Sequence, residues 1–397
     1  MASGEKQILL YLGNTLIGDI NSFAKNRHLS ESLKSEDTNA TADQFTFTIN
    51  WKLFASFIAK KFDDNPESFL RVGMTRIVFT VDGGRVRFAG WLASRPARSG
   101  FGADQMLNLK FFEHFARLGG DVVCDPSNKT SPMRVFTNRP AHLYVQDLVN
   151  EYMARAATAG ETLNWSFGTV NTLGNKTITY KDFQTVAKAL CDAMNNTTGA
   201  GKFDVVFRTD TADFTHQIID ILAPRGMSKN IIVRYPSDGV YKLWSTDYEI
   251  EETNAYASEL LVSGNGQVGD PATGEMTSKI ATSANAAFVS EYCYWRSYDS
   301  QSNLFSQDAV QAYADKTLAQ NDFGLQTPTI KLVGRPIAWG DADNEDNGLA
   351  IGDTFNLIET NDDGVDNSGY FRIIAMETDY DDNGVESVSP KLLRDTD

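Results

Sequence analysis

The chain has 397 residues, of which 42% are hydrophobic and 22% are charged, and its formal net charge is −16 at pH 7. The length exceeds that of a single core and predicts two to four domains, while the apolar fraction argues against an intrinsically disordered chain. The acidic balance repels phosphates and argues against stable nucleic-acid binding, but it is compatible with a pore through which nucleic acid passes.

The cysteines indicate that the chain is made in a reducing compartment, and the hydropathy pattern indicates neither a signal peptide nor a membrane span. Cys124, Cys191 and Cys293 are widely separated and form no CxxC pair, which disfavours a disulfide framework. The residues after Met1 lack the basic and then apolar pattern of a signal peptide. No run approaches the roughly 20 apolar residues that a membrane span needs, so we expect none.

The first predicted unit is all-β and ends near residue 120. Its predicted elements are a strand over residues 45–51, a hairpin over residues 76–91 and a strand over residues 106–112. Apolar and polar residues alternate in the first of these, as expected of a strand with one buried face. An Asp-Gly-Gly turn joins the arms of the hairpin, and Gly90 indicates a bulge or a close approach of two backbones.

Two helices are predicted next. Apolar residues recur at helical spacing over residues 145–153 and again over residues 183–194. Thr179 and Asp182 have the spacing of a capping box at the start of the second helix. The Gly-, Thr- and Asn-rich residues 156–178 between them predict loops with one short strand.

The chain then returns to extended segments. The predicted strands are residues 203–207, 231–235, 240–244 and 258–262, the second and third of them on either side of a Pro-Ser-Asp-Gly turn. Residues 264–283 are rich in Gly, Asn, Pro, Thr and Ser and predict a long exposed loop. Residues 288–298 are dense in aromatic side chains and lead to a predicted helix over residues 306–320, capped by Ser306.

The last hundred residues carry the pattern of a surface-forming β unit. Its predicted strands are residues 329–333, 354–358, 370–374 and 385–388. Asp/Asn-Gly turns separate the last three, which is the signal of an antiparallel meander or a small barrel. No residue pattern in this stretch carries chemistry.

Motifs for catalysis are missing from the sequence. His28, His114, His142 and His216 each stand alone, without the spacing of a zinc site. There is no GxSxG elbow, no phosphate-binding GxxxxGK[ST] loop and no GxGxxG after a strand. We therefore predict no catalytic, cofactor-binding or metal-binding residues.

Two acidic tracts resemble the opening of a calcium loop. They are Asp341, Asp343, Glu345 and Asn347, and then Asp379, Asp381, Asn383 and Gly384. An EF-hand needs a bidentate Glu at its twelfth position, which is Thr354 in the first tract and Pro390 in the second. Both tracts are therefore predicted to be solvated polar turns.

Some basic and aromatic residues suggest surfaces. Arg225 and Arg234 are isolated basic residues, which are usually solvated but can line an interface. The aromatic segment includes Tyr292, Tyr294, Trp295 and Tyr298. It fits core packing in a β-layer better than a sugar-stacking or partner-binding surface.

The order of these elements resembles the tail hub proteins of long-tailed bacteriophages. That family includes the baseplate hub of contractile tails and the amino-terminal hub portion of tail-associated lysins. The hairpin at 76–91 with the segment 106–118, the helix and strands between 182 and 235, and the closing segment 309–384 carry the similarity. The resemblance spans nearly the whole chain as a pattern of elements.

The resemblance implies an α+β, β-rich, multi-domain fold with two tail-tube-like antiparallel β-barrel domains and smaller α/β insert domains. The expected divisions are a first barrel over residues 1–125, a helical α+β domain over 126–200, a β-rich domain over 201–290 that contains the loop 264–283, and a helix with the second barrel over 291–397.

The function that the resemblance implies is structural and not enzymatic. Three copies would form a ring at the distal end of the tail, closing a sixfold tube and leaving a lumen for the genome. The implied partners are the chain itself, the distal tail protein, the tape measure protein, and fibre, receptor-binding or tip proteins. Synthesis would take place in the cytoplasm of a bacterial host. The sequence ends at Asp397 without the peptidase or lysozyme module of the lysin-bearing members, which argues against cell-wall degradation.

Two other classes of function stay open. One is another tail-tip component, either a hexameric distal tail ring or a baseplate protein that binds polysaccharide through residues 292–298 or 264–283. The other is a hydrolase that uses a carboxylate pair, which cannot be picked out by sequence among 52 acidic residues.

Overall fold

Strands predominate in the computed structural model of the chain. The structure describes residues 6–36, 42–81, 84–94, 97–99, 105–125, 134–180, 183–195, 203–223, 225–235, 243–250, 259–269, 276–284, 296–301, 304, 307–320, 326–333, 349–359, 369–381 and 386–394. The strands of these residues form four sheets, and helices pack on several of them. The fold is therefore α+β and rich in β-structure.

The first part of the chain forms most of one large sheet. Its strands are β1 (Gln7–Leu12), β2 (Thr15–Asp19), β3 (Ala24–Ser32), β4 (Gln44–Asn50), β5 (Thr75–Val81), β6 (Arg85–Leu92), β7 (Ala97–Ser99) and β8 (Met106–Glu113). The helix α1 (Trp51–Phe62) packs against them through Phe54 and Ile58. Each fully buried side chain of this size contributes about 1.5–3 kcal/mol to folding.

The middle of the chain alternates strands and helices around a second core. Its elements are β9 (Arg134–Pro140), α2 (Ala141–Thr158), β10 (Trp165–Val170), β11 (Asn175–Tyr180), α3 (Val186–Asn195), β12 (Asp204–Thr209) and β13 (Gln217–Leu222). Strands β10, β13 and β12 form one sheet, in which β10 and β13 are parallel. Strands β9 and β11 pair separately.

The remaining strands close the large sheet and add a small one. They are β14 (Ser228–Tyr235), β15 (Leu243–Ile250), β16 (Glu259–Gly269), β17 (Met276–Ala284), β18 (Arg296–Gln301), β19 (Gln326–Val333), β20 (Thr354–Glu359), β21 (Gly369–Tyr380) and β22 (Glu386–Arg394). The helix α4 (Gln307–Gln320) covers the sheet of β16, β17 and β18.

Strand β21 joins the two ends of the chain in one sheet of 14 strands. It pairs with β20 over its first residues and with β3 over its last ones, while β22 lies along its other edge. Its last residue, Tyr380, contacts Phe79 of the first core with ring centroids 5.2 Å apart. Strand β21 therefore contacts the first β unit both through backbone hydrogen bonds to β3 and through core packing.

Most of the predicted elements are confirmed. The hairpin of β5 and β6, the strands β4, β8, β12 and β14, the helices α2 and α4, and the antiparallel meander of β20, β21 and β22 lie where the sequence pattern placed them. Gly90 is also confirmed as a site of close approach, because a Cβ there would lie 2.3 Å from the carbonyl oxygen of Phe112.

Other predictions about local structure are wrong. The first unit is not all-β, because Trp51 begins α1, with the Asn50 side chain accepting a hydrogen bond from Leu53 N. Thr179 lies in β11, and Thr185 caps α3 by accepting from Lys188 N. The two helices are also separated by two strands, β10 and β11, where one was predicted.

The prediction of a long loop over residues 264–283 is also wrong. Residues 264–269 and 276–283 belong to β16 and β17, which pair antiparallel, while residues 270–275 lie outside the described part. The many Thr and Ser residues of this stretch are compatible with strands once a partner strand is present. Likewise, β14 and β15 do not form a hairpin with each other but pair with β20 and β19.

The two expected barrels are not observed as closed barrels. Within the described residues, the strand pairings run in an open order from β15 to β2, and no ring of pairings closes. The calcium-like tract Asp341–Asn347, the residues Tyr292–Trp295 and the Ser306 cap lie outside the described residues.

Candidate functional site

Charged side chains are buried where the first β unit meets the middle of the chain. We call Glu31, Lys34, Asp43, Arg87 and Glu113 the junction cluster. Lys34 Nζ lies 2.5 Å from Asp43 Oδ1 and 3.0 Å from Glu113 Oε1, and the lysine side chain is 3% exposed. Arg87 donates to both carboxylate oxygens of Glu31, at 2.7 Å from Nη1. Losing one partner of such a buried pair costs about 3–5 kcal/mol.

Lys34 is shared between the carboxylates of Asp43 and Glu113, so it compensates the negative charge of Glu113 only in part. Burial and the nearby charge of Asp43 raise the pKa of Glu113 to about 7, although the Lys34 and Arg225 cations oppose the rise. Burial by itself would lower the pKa of Lys34, but the two carboxylates more than offset this and raise it. Lys34 is therefore charged, and Glu113 changes its charge near neutral pH.

Arg225 extends this polar contact into the closing sheet. Arg225 Nη1 donates to Asp204 Oδ2 at 2.8 Å, and Asp204 is 1% exposed. Arg372 Nη2 donates to the carbonyl oxygen of Arg225 at 3.2 Å, and Met227 N donates to Asp353 Oδ1 at 2.9 Å. Arg225 is therefore a partly buried residue, with its side chain 19% exposed, that joins the middle unit to the closing strands, and it lines an internal interface instead of being an isolated solvated arginine.

A serine, a histidine and an aspartate are hydrogen-bonded in series beside the β12–β13 turn. Ser166 Oγ lies 2.8 Å from His216 Nε2, and His216 Nδ1 lies 3.1 Å from Asp210 Oδ2. Sequence reasoning treated His216 as isolated, because Ser166 is 50 residues away along the chain. The pairing depends on the parallel contact of β10 with β13.

Several backbone N–H groups around this series are engaged with other acceptors. A nucleophilic serine also needs free hydrogen-bond donors aimed at the developing oxyanion. Several surrounding backbone N–H groups are already used, since Thr169 N donates to Asp220, Gln217 N donates to Asn164 O, and His216 N donates to Asp213 O. The series therefore serves to brace the turn between β12 and β13 against β10.

His28 also gains partners in the folded chain. Its Nε2 lies 2.6 Å from Glu377 Oε2 and its Nδ1 lies 2.8 Å from Asp379 Oδ1. Asp379 is therefore a residue of β21 that contacts β3 and does not lie in a turn as predicted, although its side chain is solvated, with 63% of it exposed. Among the residues that the structure describes, no group of His, Cys, Asp or Glu is placed to hold a metal ion.

A cleft opens between the first β unit and the middle unit, with a volume of about 200 Å³. Its most buried lining residues are Arg76 and His114, which are 1% and 2% exposed. The indole N–H of Trp91 donates to His114 Nδ1 at 2.9 Å. Asn14, Met74, Thr162 and Asn164 are exposed residues of the same lining. Cationic, neutral polar and aromatic groups thus meet in one small space.

Only one member of the predicted aromatic surface is described. Tyr298 of β18 is 64% exposed, and its hydroxyl lies 2.7 Å from Ser263 Oγ. The other three predicted members lie outside the described residues. Tyr298 is therefore not a core residue, contrary to the interpretation favoured from the sequence.

The fold can be compared with solved structures. A tail protein from Neisseria meningitidis MC58 aligns over 98% of this chain and 97% of its own, with a TM-score of 0.58 and 12% identity. The 43 kDa tail protein of prophage MuSo2 from Shewanella oneidensis aligns over 98% of both chains, with a TM-score of 0.57 and 13% identity. This chain has the fold of these tail proteins.

A third structure agrees over a similar length. The prophage tail protein gp18 from Listeria monocytogenes EGD-e aligns over 97% of this chain and 94% of its own, with a TM-score of 0.52 and 12% identity. No protein-family model and no curated protein sequence matches the chain. Within the described residues, no helix is long and apolar enough to span a membrane.

Proposed function

We propose that this chain is a structural component of a phage or prophage tail, and that it is the hub at the distal end of that tail. Three copies form a ring that closes a sixfold tail tube and leaves a lumen for the genome. The hub contacts the distal tail protein, the tape measure protein, and fibre, receptor-binding or tip proteins. It is made in the cytoplasm of the bacterial host.

The likeness in fold to tail proteins along the whole chain carries this proposal. Two alignments cover 97% or more of both chains at 12–13% identity, so the shared feature is the complete arrangement of elements and not one common domain. Fold alone does not fix function. The proposal therefore depends on the size and completeness of the match together with the order of elements in the sequence.

The organisation of the sheet supports a ring-forming role. We propose that residues 1–125 and 291–397 supply two tube-like units, with residues 126–200 and 201–290 between them. Strand β21 pairs with β3, so the two units are hydrogen-bonded into one sheet. A ring subunit needs such a fixed connection between its two units, because both units must keep their orientation around the axis. Three copies with two units each would match six tube subunits.

The net negative charge of the chain supports a lumen through which DNA passes without binding. A net charge of −16 disfavours adhesion to DNA, which a lumen for the genome requires. The Ser166, His216 and Asp210 series links the turn between β12 and β13 to β10, and several backbone N–H groups beside it already have acceptors. We therefore propose a role without catalysis.

Imaging of assembled tails tests the proposal. We expect electron cryomicroscopy of the intact particle to show three copies of this chain around the tail axis at the distal end. Six copies in that position would instead support a distal tail ring, and copies attached off the axis would support a peripheral adhesin. Either of these results would contradict the hub proposal. An antibody against an epitope tag on this chain locates it, with the untagged particle as the control.

A further inference from the structure

The small sheet of β16, β17 and β18 has one face packed on α4 and a second face that points away from the helix. Leu260, Val262 and Ala281 are buried in the cluster that includes the helix. Side chains alternate between the two faces of a strand, so the residues between these three lie on the second face, which we call the outer face. There Tyr298 of β18 is 64% exposed and Ile280 of β17 is 49% exposed. The outer face therefore presents large apolar side chains to solvent.

The ring of Tyr298 is inclined along the sheet and does not stand upright on it. Tyr298 is in register with Leu261 of β16, and Ser263 is the next residue of β16 on the same face. The phenol oxygen of Tyr298 lies 2.7 Å from Ser263 Oγ. Because a serine hydroxyl lies close to the backbone, the longer tyrosine side chain reaches it only with its ring tilted toward the sheet. One side of the ring therefore faces the sheet and the other side faces solvent.

A chain of hydroxyl groups fixes this ring. Ser263 Oγ donates to Ser300 Oγ at 3.2 Å, so the proton between Ser263 and Tyr298 comes from the tyrosine, because a hydroxyl has one proton to donate. Ser300 is exposed and keeps its own proton for a further acceptor. Holding the ring in one orientation before binding lowers the entropic cost of ordering it around a ligand.

A donor and an acceptor of opposite charge lie beside the ring. Arg296 precedes Tyr298 by two residues on the same face, and Glu259 is its partner in register on β16. Arg296 Nη2 lies 3.2 Å from Glu259 Oε1, and the arginine side chain is 50% exposed. The pair therefore adds hydrogen-bonding groups to the outer face without adding net charge.

This combination of groups matches the chemistry of a neutral sugar. One side of a pyranose ring carries C–H groups with small positive partial charges, which are attracted to the negative face of an aromatic ring. The edge of the sugar carries hydroxyl groups that both donate and accept, so they match a guanidinium, a carboxylate and a serine hydroxyl. Nucleic-acid bases also stack on tyrosine, but the net charge of −16 disfavours their phosphates.

The size of the outer face favours a small ligand over a protein. The sheet has three strands, and β18 has six residues. At a spacing of about 4.8 Å between strands and a rise of about 3.3 Å per residue, such a face covers roughly 300 Å². Each partner in a stable protein–protein interface buries about 800 Å². The outer face is therefore too small for such an interface but large enough for a few sugar rings.

We propose that the outer face of β16, β17 and β18 is a binding site for a neutral polysaccharide, with the ring of Tyr298 as its stacking platform. Arg296, Glu259 and Ser300 supply the hydrogen bonds to the sugar hydroxyls. Because the platform is the surface of a sheet and not a pocket, it accepts an internal unit of a chain.

Saturation-transfer NMR on the purified full-length chain tests this proposal. The probes are two neutral oligosaccharides, cellohexaose and chitohexaose, and the oligonucleotide hexathymidylate as a stacking ligand of another class. We expect transfer to at least one hexaose and none to hexathymidylate. Transfer should be stronger to the C–H protons of one face of the sugar ring than to those of the other, because only one face contacts the tyrosine.

Variants assign the binding to the platform. Tyr298→Ala removes the stacking ring, so we expect affinity for the hexaose to fall at least about tenfold. Tyr298→Phe keeps the ring and should retain most of the binding. Tyr370→Ala is the matched control, because Tyr370 is another strand tyrosine, 56% exposed on β21, and it should bind like the wild type. Circular dichroism checks that each variant is folded.

Three results would overturn the site. They are no transfer to either hexaose, equal affinity of the wild type and Tyr298→Ala, and an equal loss in Tyr298→Ala and Tyr370→Ala. Transfer to hexathymidylate alone, lost in Tyr298→Ala, would assign the platform to nucleic-acid bases and would also contradict the proposal. The position of the chain in a particle is measured independently, so the site and the hub proposal fail separately.

Discussion

Glu113 makes the stability of the folded chain sensitive to pH. Its pKa is raised to about 7 from an ordinary value of 4.5, mainly by burial. A group whose folded pKa lies above its unfolded pKa favours folding at low pH, and this contribution is lost as the pH rises through the folded pKa. Glu113 therefore destabilises the folded state progressively between about pH 4.5 and pH 7.

We expect Glu113→Gln to remove this dependence. The free energy of unfolding of the wild type, measured relative to that of the variant, should fall between pH 4.5 and pH 7.5, by a few kcal/mol at most. Urea unfolding followed by circular dichroism at several pH values measures the difference. Glu67→Gln, at an exposed position, controls for the loss of one negative charge. Parallel curves for the wild type and Glu113→Gln would contradict the assigned pKa.

Ser166 tests the non-catalytic interpretation of the Ser166–His216–Asp210 series. We expect no covalent labelling of the wild type by a fluorophosphonate probe under conditions that label a known serine hydrolase completely. Ser166→Ala should lower the free energy of unfolding by about 1 kcal/mol, because one hydrogen bond of the brace is lost. Labelling of the wild type that disappears in Ser166→Ala would show that the serine is an activated nucleophile.

At the scale of elements, two glycines set the contact between the β14 and β20 segments. Gly226 and Gly352 have φ of +85° and +95°, and a Cβ on Gly352 would lie 2.4 Å from the carbonyl oxygen of Arg225. Gly352 is therefore required both by its backbone conformation and by the close approach of the neighbouring segment.

We expect Gly352→Ala to destabilise the chain by several kcal/mol more than Gly160→Ala. Gly160 has φ of +91°, but a Cβ there would meet no atom within 4 Å. The control therefore carries the backbone strain of about 1–2 kcal/mol without the steric clash. Thermal or urea unfolding measures both variants. Equal losses would mean that the contact between Gly226 and Gly352 relaxes without cost.

Local sequence patterns predicted the positions of helices and strands more accurately than they predicted which strands pair with each other. The alternation in β4 and the helical spacing in α2 were sufficient because each is set by burial of one face. The helix α1 was missed because it follows β4 without a break and its cap, Asn50, is also the last residue of that strand. The start of β16 was predicted as the strand over residues 258–262, but the rest of β16 and β17 were missed because their stretch is rich in the residue types of loops, while its Thr residues also suit a paired strand.

At the scale of the molecule, the acidic surface has a measurable consequence. We expect no retention of duplex DNA by the chain in a gel-shift assay at about 0.15 M salt, where screening still leaves a net repulsion. A basic protein of similar size is the positive control. Retention that weakens steeply with added salt would reveal a basic surface and would contradict the proposed lumen through which DNA passes without binding.

The sequence by itself determined the β-rich class, the principal strands and helices, the acidic surface and the resemblance to tail hubs. The class, the elements and the charge follow from composition and from short-range periodicity, which depend on neighbouring residues, whereas the resemblance rests on the order of the elements. Only the tertiary structure decided which strands pair, such as β21 with β3, and which side chains meet, such as Trp91 with His114 and Ser166 with His216. These contacts join residues far apart in the chain, and no local pattern encodes the spatial neighbour of a lone polar residue.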